Sequence, residues 1–565
     1  MDTNSIVIWG AGRIGRGFIG DLFFHAGYQL VFVDESEDLV EQLKKSGKYS
    51  IVRAINAEFI NRVEITGYQA LITKQKKEIS DAVCNSDLIA TAVYPKFFKN
   101  VASDISKCIN FRKEHGNNNP INILLCTNLV HAGPTFKSYL YNNLTKEQAQ
   151  YFDENVGVVE SLVIRIAPDP PQSEIEKDQL VVWTNGYPEL PVEEAAFKGN
   201  IPKIESLRLV KDMRAEETRK IYTYNMFHAV LSYHGHMRGY QLLVECLDDP
   251  NIHKEAYEAL DEVSQALQKE YGFTSEEMNI WVENVISHTD NPSIGDKVIR
   301  SAADPARKLK RNDRLVGPAL LCRKHDIEPK ALIRGIAAAL LYINPEDAGA
   351  NFVQDVIRTK GIQQASIELC SLNADEQDFV RKILLQYQRL RLENEWWQRA
   401  NEAYKLGFQH EKIYHGCGQC VLAALMDVLD TFNEEVFNAA TGLNGGIGLV
   451  GDATCSAYIG GAMIMGLLFP RRRENFDADR QNKYKTFHLI QALRQKFINE
   501  YGSITCHDIH RRIYGRSFDL REGVEREKFE EAGAHKNGCT EIVGKTAKWT
   551  VEIISESLIK DELKE

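Results

Sequence analysis

The stretch Ser5-Ile6-Val7-Ile8-Trp9-Gly10-Ala11-Gly12-Arg13-Ile14-Gly15 is an apolar run that enters a glycine turn and leaves it as a helix. A second apolar run, Gln29-Leu30-Val31-Phe32-Val33-Asp34, ends in an acid. These are the parts of a strand, turn, helix and strand that bind a dinucleotide. Gly10 permits the tight turn, Gly12 lets a pyrophosphate approach the backbone, and Gly15 lets the helix pack close to the strand. The backbone from Ala11 through Arg13 and Ile14 then turns its amides toward the phosphates. Asp34 can accept hydrogen bonds from ribose hydroxyls and would repel a 2′-phosphate, which predicts NAD rather than NADP.

Outward from this unit, Leu88–Val93 and Ile121–Cys126 read as further buried strands, each followed by a loop, Tyr94-Pro95 and Thr127-Asn128. In an α/β doubly wound sheet such loops lie at the carboxyl ends of strands, so Pro95 and Asn128 are expected at the cofactor. Residues 1–200 are therefore expected to form a doubly wound parallel sheet of the Rossmann type. From Ile201 the pattern turns to helices, at Ala215–His234, His253–Tyr271, Ser275–Ser287, Ala331–Tyr342 and Glu376–Leu392. That predicts a mainly α-helical substrate domain over 201–390. An all-α, cysteine-bearing domain over 400–565 is expected to follow.

The chain has 565 residues, more than one core accommodates. A net charge of −11 argues against nucleic acid and anionic membranes as partners, since both call for a basic face. The longest apolar stretch, Cys455–Phe469, is broken by glycines and falls short of a membrane span. A cytoplasmic location is expected, where cysteines serve as thiols or metal ligands rather than disulfides.

In the helical part, Arg219-Lys220-Ile221-Tyr222-Thr223-Tyr224-Asn225-Met226-Phe227-His228 places a lysine, an amide and an imidazole on one broad arc of an ideal helix. Hydride transfer from an alcohol needs a group to take the hydroxyl proton and donors to steady the oxygen left behind. Lys220 can be that base if burial lowers its pKa. Asn225 and His228 would then hydrogen-bond the reacting oxygen, and zinc is not required. Cations nearby would recognise a phosphorylated substrate, and Arg307, Lys308 and Arg314 are the candidates, with Arg300 beside them.

The Lys-x4-Asn-x2-His spacing downstream of the Gly10–Ile19 opening resembles the polyol-specific long-chain dehydrogenases. So do Thr91–Pro95, Cys126-Thr127-Asn128, Val156–Ser161 with Arg165, Arg307-Lys308-Leu309, Asp313-Arg314-Leu315 and Ile336–Leu340. The resemblance spans residues 5–385. It implies reversible NAD-dependent oxidation of a small-molecule polyol or polyol phosphate, with Lys220 as acid/base, Asn225 and His228 at the substrate oxygen, and Arg165 on the substrate side. Three differences fall on that side: Thr127 replaces a glutamate, Ile164 an aspartate, and bulky Met226 and Phe227 replace small residues. Two other readings stand beside this one, a reductase of keto-sugar acids and an NAD or redox sensor without turnover. Lys220, Asn225 and His228 together speak against a sensor, which has no use for a proton acceptor.

Residues 401–565 hold five of the eleven cysteines: Cys417, Cys420, Cys455, Cys506 and Cys539. A Cys-x-x-Cys turn such as Cys417-Gly418-Gln419-Cys420 aims two sulfurs at one point. His415–Ala424, Gly445–Gly448 and Cys455–Gly461, with the two later cysteines, resemble a small bacterial family named for its C, GCAxxG, C, C motif and described as redox-active. That implies a working set of Cys417, Cys455, Cys506 and Cys539, with Cys420 an extra, for zinc, an iron-sulfur cluster or dithiol cycling.

Overall fold

In the computed structural model of the chain the described residues are 4–127, 129, 131–142, 144–476 and 480–563. They form two compact units, Met1–Ile383 and Leu384–Glu565. Asn128 lies outside the described residues.

The first unit is built on a six-stranded sheet of β1 (Ser5–Trp9), β2 (Gln29–Asp34), β3 (Gln69–Ile72), β4 (Leu88–Thr91), β5 (Ile121–Leu125) and β6 (Val156–Glu160). All neighbours are parallel, in the spatial order β3-β2-β1-β4-β5-β6. This is the doubly wound order, with its topological switch between β1 and β4. Both faces are buried, which is why the strands read as unbroken apolar runs. Ile6, Ile8, Leu30 and Phe32 enter one core, and Val7, Trp9, Val31 and Val33 the opposite one. A smaller sheet of Lys48–Ala54, Ile60–Thr66 and Val182–Thr184 lies beyond the sequence-based expectation.

The glycine turn is fixed by contact distances. Gly10 has φ +95°, and a Cβ there would meet the Ala92 carbonyl oxygen at 2.5 Å. At Gly15 a Cβ would sit 1.8 Å from the Gly10 carbonyl oxygen, so only glycine lets the helix start this close to β1. Gly12 is the reverse case, with nothing within 4 Å of its Cβ position.

Beyond Asp212 the first unit is mostly helical. Met213–Lys220, the π-helical turn Ile221–Asn225 and Met226–Arg238 run on without a break. Pro250–Tyr271, Ser275–Thr289 and Lys330–Leu341 pack around them. Helix Gln377–Tyr414 starts before the unit boundary and ends after it.

The second unit is all-α. Its core gathers Val421, Leu422 and Leu425 of Cys417–Val428, Ile464 and Met465 of Ser456–Leu468, and Val543, Val551 and Ile554 of Cys539–Leu563. Gly460 allows the first two helices to touch, since a Cβ there would lie 2.6 Å from the Gly418 carbonyl oxygen. The glycine-rich loop is left-handed over five residues in a row, with φ of 60°, 69°, 64°, 63° and 67° from Gly445 to Leu449. Ile447 and Leu449 lie there at a cost of about 1–2 kcal/mol each. The Ser456 hydroxyl holds the loop, donating to the Leu443 carbonyl and accepting from the Gly446 amide.

Gly15→Ala is expected to lower the unfolding free energy by about 3 kcal/mol or more, the upper end for overpacked sites, because a backbone oxygen cannot step aside. Gly12→Ala should leave thermal unfolding nearly unchanged. Thermal denaturation of the two variants checks this contrast.

Candidate functional site

A cleft of about 570 Å³ opens at the carboxyl ends of β1, β2 and β4, lined by Gly10, Gly12, Asp34, Ala92, Tyr94 and Phe97 among others. Asp34 Oδ2 accepts the Ala11 amide at 2.7 Å and Oδ1 the Ser36 amide at 2.9 Å, so the carboxylate is pinned to the glycine turn with lone pairs to spare. The open space over Gly12 and the acid on the cleft wall fit a dinucleotide. Pro95 is exposed and opens the 3-10 turn that carries Phe97 into the wall. Ile14 packs against the core below the sheet, while Arg13 faces outward in a 2.7 Å ion pair with Asp169.

Lys220 stands at the carboxyl end of the same sheet. Its Nζ donates at 2.6 Å to the carbonyl of Val163, three residues past the end of β6. Burial, reinforced by Arg314 and opposed by Glu217, brings its pKa down to about 8. His228 is set from the other side: burial lowers it to about 4 against the pull of Asp296, with Arg300, Arg314 and Lys308 adding to the fall. Arg314 thus lowers both groups. Asn225, half-buried, closes the π-helical turn between them. That turn is a finding against the sequence reading, which put the three residues on an ideal α-helical arc. π turns of this kind recur at functional sites.

His228 Nε2 lies 3.0 Å from Thr289 Oγ1, whose proton is directed to the Val285 carbonyl at 2.8 Å. The hydroxyl therefore accepts from His228 Nε2–H. That fixes the tautomer of a neutral imidazole and leaves Nδ1 as an acceptor.

The cations divide. Lys308 is buried, donates to the Ser301 carbonyl, and is lowered to about 7 by burial with Arg314 and Arg307 adding to it. Arg314 is mostly buried and bonded to Asp313 at 2.8 Å. Arg307 is half-exposed and already paired with Asp304 and Asp313. Arg165 corrects the expectation of a substrate contact. Its side chain is 1% exposed and is engaged by Asp21 and by the carbonyls of Gly17 and Tyr187. Met226 and Phe227 are likewise wholly buried, so their bulk serves the helical core and not the substrate side.

Several neighbours escaped the sequence reading. Glu217, one helical turn before Lys220, is raised to about 7 by burial and by Glu160, the last residue of β6. Thr289, Asp296 and His288, the last bonded to the Tyr224 hydroxyl at 3.1 Å, complete the surroundings. Only the i, i+3 spacing of Glu217 and Lys220 was visible as a signal.

In the second unit Cys417, Cys455, Cys506 and Cys539 line one cavity of about 370 Å³ with Glu411 and His510. His510 Nε2 lies 3.6 Å from Cys506 Sγ and 4.0 Å from Cys539 Sγ. The neighbouring Cys417 sulfur, with His510 beside it, holds the Cys539 pKa below the usual thiol range. Cys420 departs from the idea of a converging Cys-x-x-Cys pair. Its Sγ turns to the His415 carbonyl at 3.4 Å and is not part of the cavity wall.

Fold and site together define a long-chain dehydrogenase. The mannitol dehydrogenase Rossmann domain matches residues 4–206, and the mannitol dehydrogenase C-terminal domain residues 212–400. Residues 415–553 match the family described as "Putative redox-active protein (C_GCAxxG_C_C)". A mannitol-1-phosphate 5-dehydrogenase of Bacillus pumilus (strain SAFR-032) is 34% identical over 378 residues, 66% of this chain and 97% of that protein. The chain belongs to the mannitol dehydrogenase family. Its fold is shared with a D-sorbitol dehydrogenase crystallised in substrate-free form, at TM-score 0.59 and 16% identity, over 68% of this chain and 95% of the other. It is shared too with the Pseudomonas fluorescens mannitol 2-dehydrogenase solved with NAD and D-mannitol, at TM-score 0.55 and 16% identity, over 69% and 92%. Among the described residues no helix is long and apolar enough to cross a membrane.

Thr289→Val is expected to lower kcat for polyol oxidation roughly threefold to tenfold, the worth of one hydrogen bond, by freeing the His228 tautomer. Steady-state kinetics check it, and an unchanged kcat would exclude a positioning role for Thr289.

Proposed function

We propose that the chain interconverts mannitol 1-phosphate and fructose 6-phosphate with NAD, using Lys220 as the acid/base. The observation that carries this reading is a buried amine, poised near pH 8 beside Arg314, at the carboxyl end of a doubly wound sheet. The curated relative of that name, covered almost end to end, supports the substrate. Gly10 to Gly15 would hold the pyrophosphate and Asp34 the adenosine ribose, with Pro95 on a neighbouring cofactor loop. When bound, NAD takes up the hydride that leaves the carbinol carbon.

In the oxidising direction neutral Lys220 accepts the hydroxyl proton as the C–H bond breaks, and a ketone is left. Asn225 orients the reacting oxygen. His228, kept toward its neutral form by burial and an acceptor at Nδ1, takes a hydrogen bond from a substrate hydroxyl. Lys308 and Arg314 receive the phosphate, whose charge favours the ammonium form that burial has made costly for Lys308. Arg307 stands at the exposed edge of this group. The parts we assign are 1–200 for cofactor, 201–390 for substrate and 400–565 for the thiols. The set Cys417, Cys455, Cys506 and Cys539 suits zinc, an iron-sulfur cluster or dithiol cycling.

Lys220→Ala should cut kcat about 10²- to 10⁴-fold, the range for a lost general base, with NADH affinity retained. In the unaltered protein kcat/KM for oxidation should rise with pH and level off above about 8, because the neutral amine takes the proton. Reduction should fall over the same interval, because the ammonium gives it up. A profile flat through this range, or full activity in the alanine variant, rules out the lysine mechanism. Lys308→Met should raise KM for the sugar phosphate at least about tenfold and leave kcat nearly unchanged, which reads as lost ground-state binding. Turnover of fructuronate or tagaturonate in preference to the phosphate would assign the cations to a carboxylate instead.

A further inference from the structure

The cavity of the second unit holds a second set of donors that the thiols do not account for. His415 Nδ1 and His535 Nε2 are 3.0 Å apart. His535 Nδ1 lies 2.6 Å from Glu530 Oε1, and its Nε2 lies 3.6 Å from Glu411 Oε1. One ligand atom from each of His415, Glu530 and His535 falls within 4.8 Å of the other two.

Glu411 adds a buried charge to this cluster. It is 1% exposed and lines the cavity. Its Oε1 accepts from Cys417 Sγ at 3.2 Å, while the buried Oε2 has no hydrogen-bond partner among the described residues. A buried carboxylate with an idle oxygen calls for a cation. Its ion-pair partner is His535, which Glu530 also engages, so one imidazolium would have to serve two carboxylates.

We propose that His415, His535 and Glu411 bind one divalent transition-metal ion of borderline softness, with zinc as the reference, while Glu530 accepts from His535 Nδ1–H and so holds Nε2 toward the ion. Two imidazole nitrogens and two carboxylate oxygens suit such an ion. Donors sharing a tetrahedral zinc at about 2.0–2.1 Å stand about 3.3 Å apart, and the two donor separations of 3.0 and 3.6 Å bracket that value. The rings are 3.7 Å apart between centroids at 60°. The His415 side chain is 50% exposed, which leaves its torsions room to turn Nδ1 toward a shared ion. This site is distinct from the thiol set. Glu411 stands between the two: its Oε1 faces both Cys417 and His535 Nε2, and its Oε2 is free to complete the chelate.

The test uses the full chain, reduced and stripped with a chelator, titrated with Co²⁺ and followed by visible and near-ultraviolet absorption. The His415→Gln, His535→Gln double variant should lose one Co²⁺ equivalent, or bind it at least tenfold more weakly, while thiolate-to-cobalt charge-transfer bands stay as they were. Glu530→Gln, at a half-exposed position, should weaken the same equivalent several-fold. Circular dichroism and polyol oxidation, unchanged in both variants, certify the fold. A Co²⁺ stoichiometry and spectrum indifferent to the histidine substitutions would overturn the proposal, as would loss of the charge-transfer bands along with the ion.

Discussion

An ammonium group taken out of water must find an anion or loosen its hold on the proton. Lys220 is anchored by the Val163 carbonyl, and a guanidinium rather than a carboxylate is the stronger charge beside it. Everything in the first unit bears on keeping that amine dry and correctly placed. The parallel sheet brings the ends of β1 and β6 to one edge, and the Arg165–Asp21 pair ties the loop after β6 to the first helix. The aromatic and aliphatic core of the helical part excludes water from behind. The same desolvation lowers His228 and Lys308 and raises Glu217, so the site is a group of ionisable side chains all shifted toward their neutral forms.

What was legible in the sequence was what short-range chemistry dictates. β1 and β2 were readable because a parallel strand is apolar on both faces. The roles of Gly10 and Gly15 were readable because no other residue tolerates those approaches. The parallel α/β fold emerged from these signals, as did the all-α character of the last part. What was hidden depends on distance along the chain. Nothing near Arg165 announces that Asp21, far upstream, claims it. Nothing in Cys417-Gly-Gln-Cys420 says that the second sulfur turns back to a carbonyl while thiols from three other segments join the first. The raised pKa of Glu217 is a property of burial, which no local pattern records.

The second unit shows how backbone conformation can substitute for sequence signature. A five-residue left-handed stretch beside the cavity includes Ile447, a β-branched residue for which this region is an outlier. Such strain persists only where surroundings over-determine it. Here the Ser456 hydroxyl clamps the loop from both sides. The absent Cβ of Gly446 also leaves room for Cys506, whose own Cβ would otherwise be 2.8 Å away.

The wide turn at Ile221–Asn225 has a consequence for how this helix can change length. A π turn is an α-helix carrying one surplus residue, so excising a single residue between Lys220 and Asn225 would restore regular winding without shortening the protein's framework appreciably. Regular winding of the unaltered sequence, by contrast, would re-phase every later residue, His228 included, by about 100° about the axis relative to Lys220. The segment behaves as a mechanical detent, in which the helix is free to be regular or the two side chains free to keep their present relation, but not both.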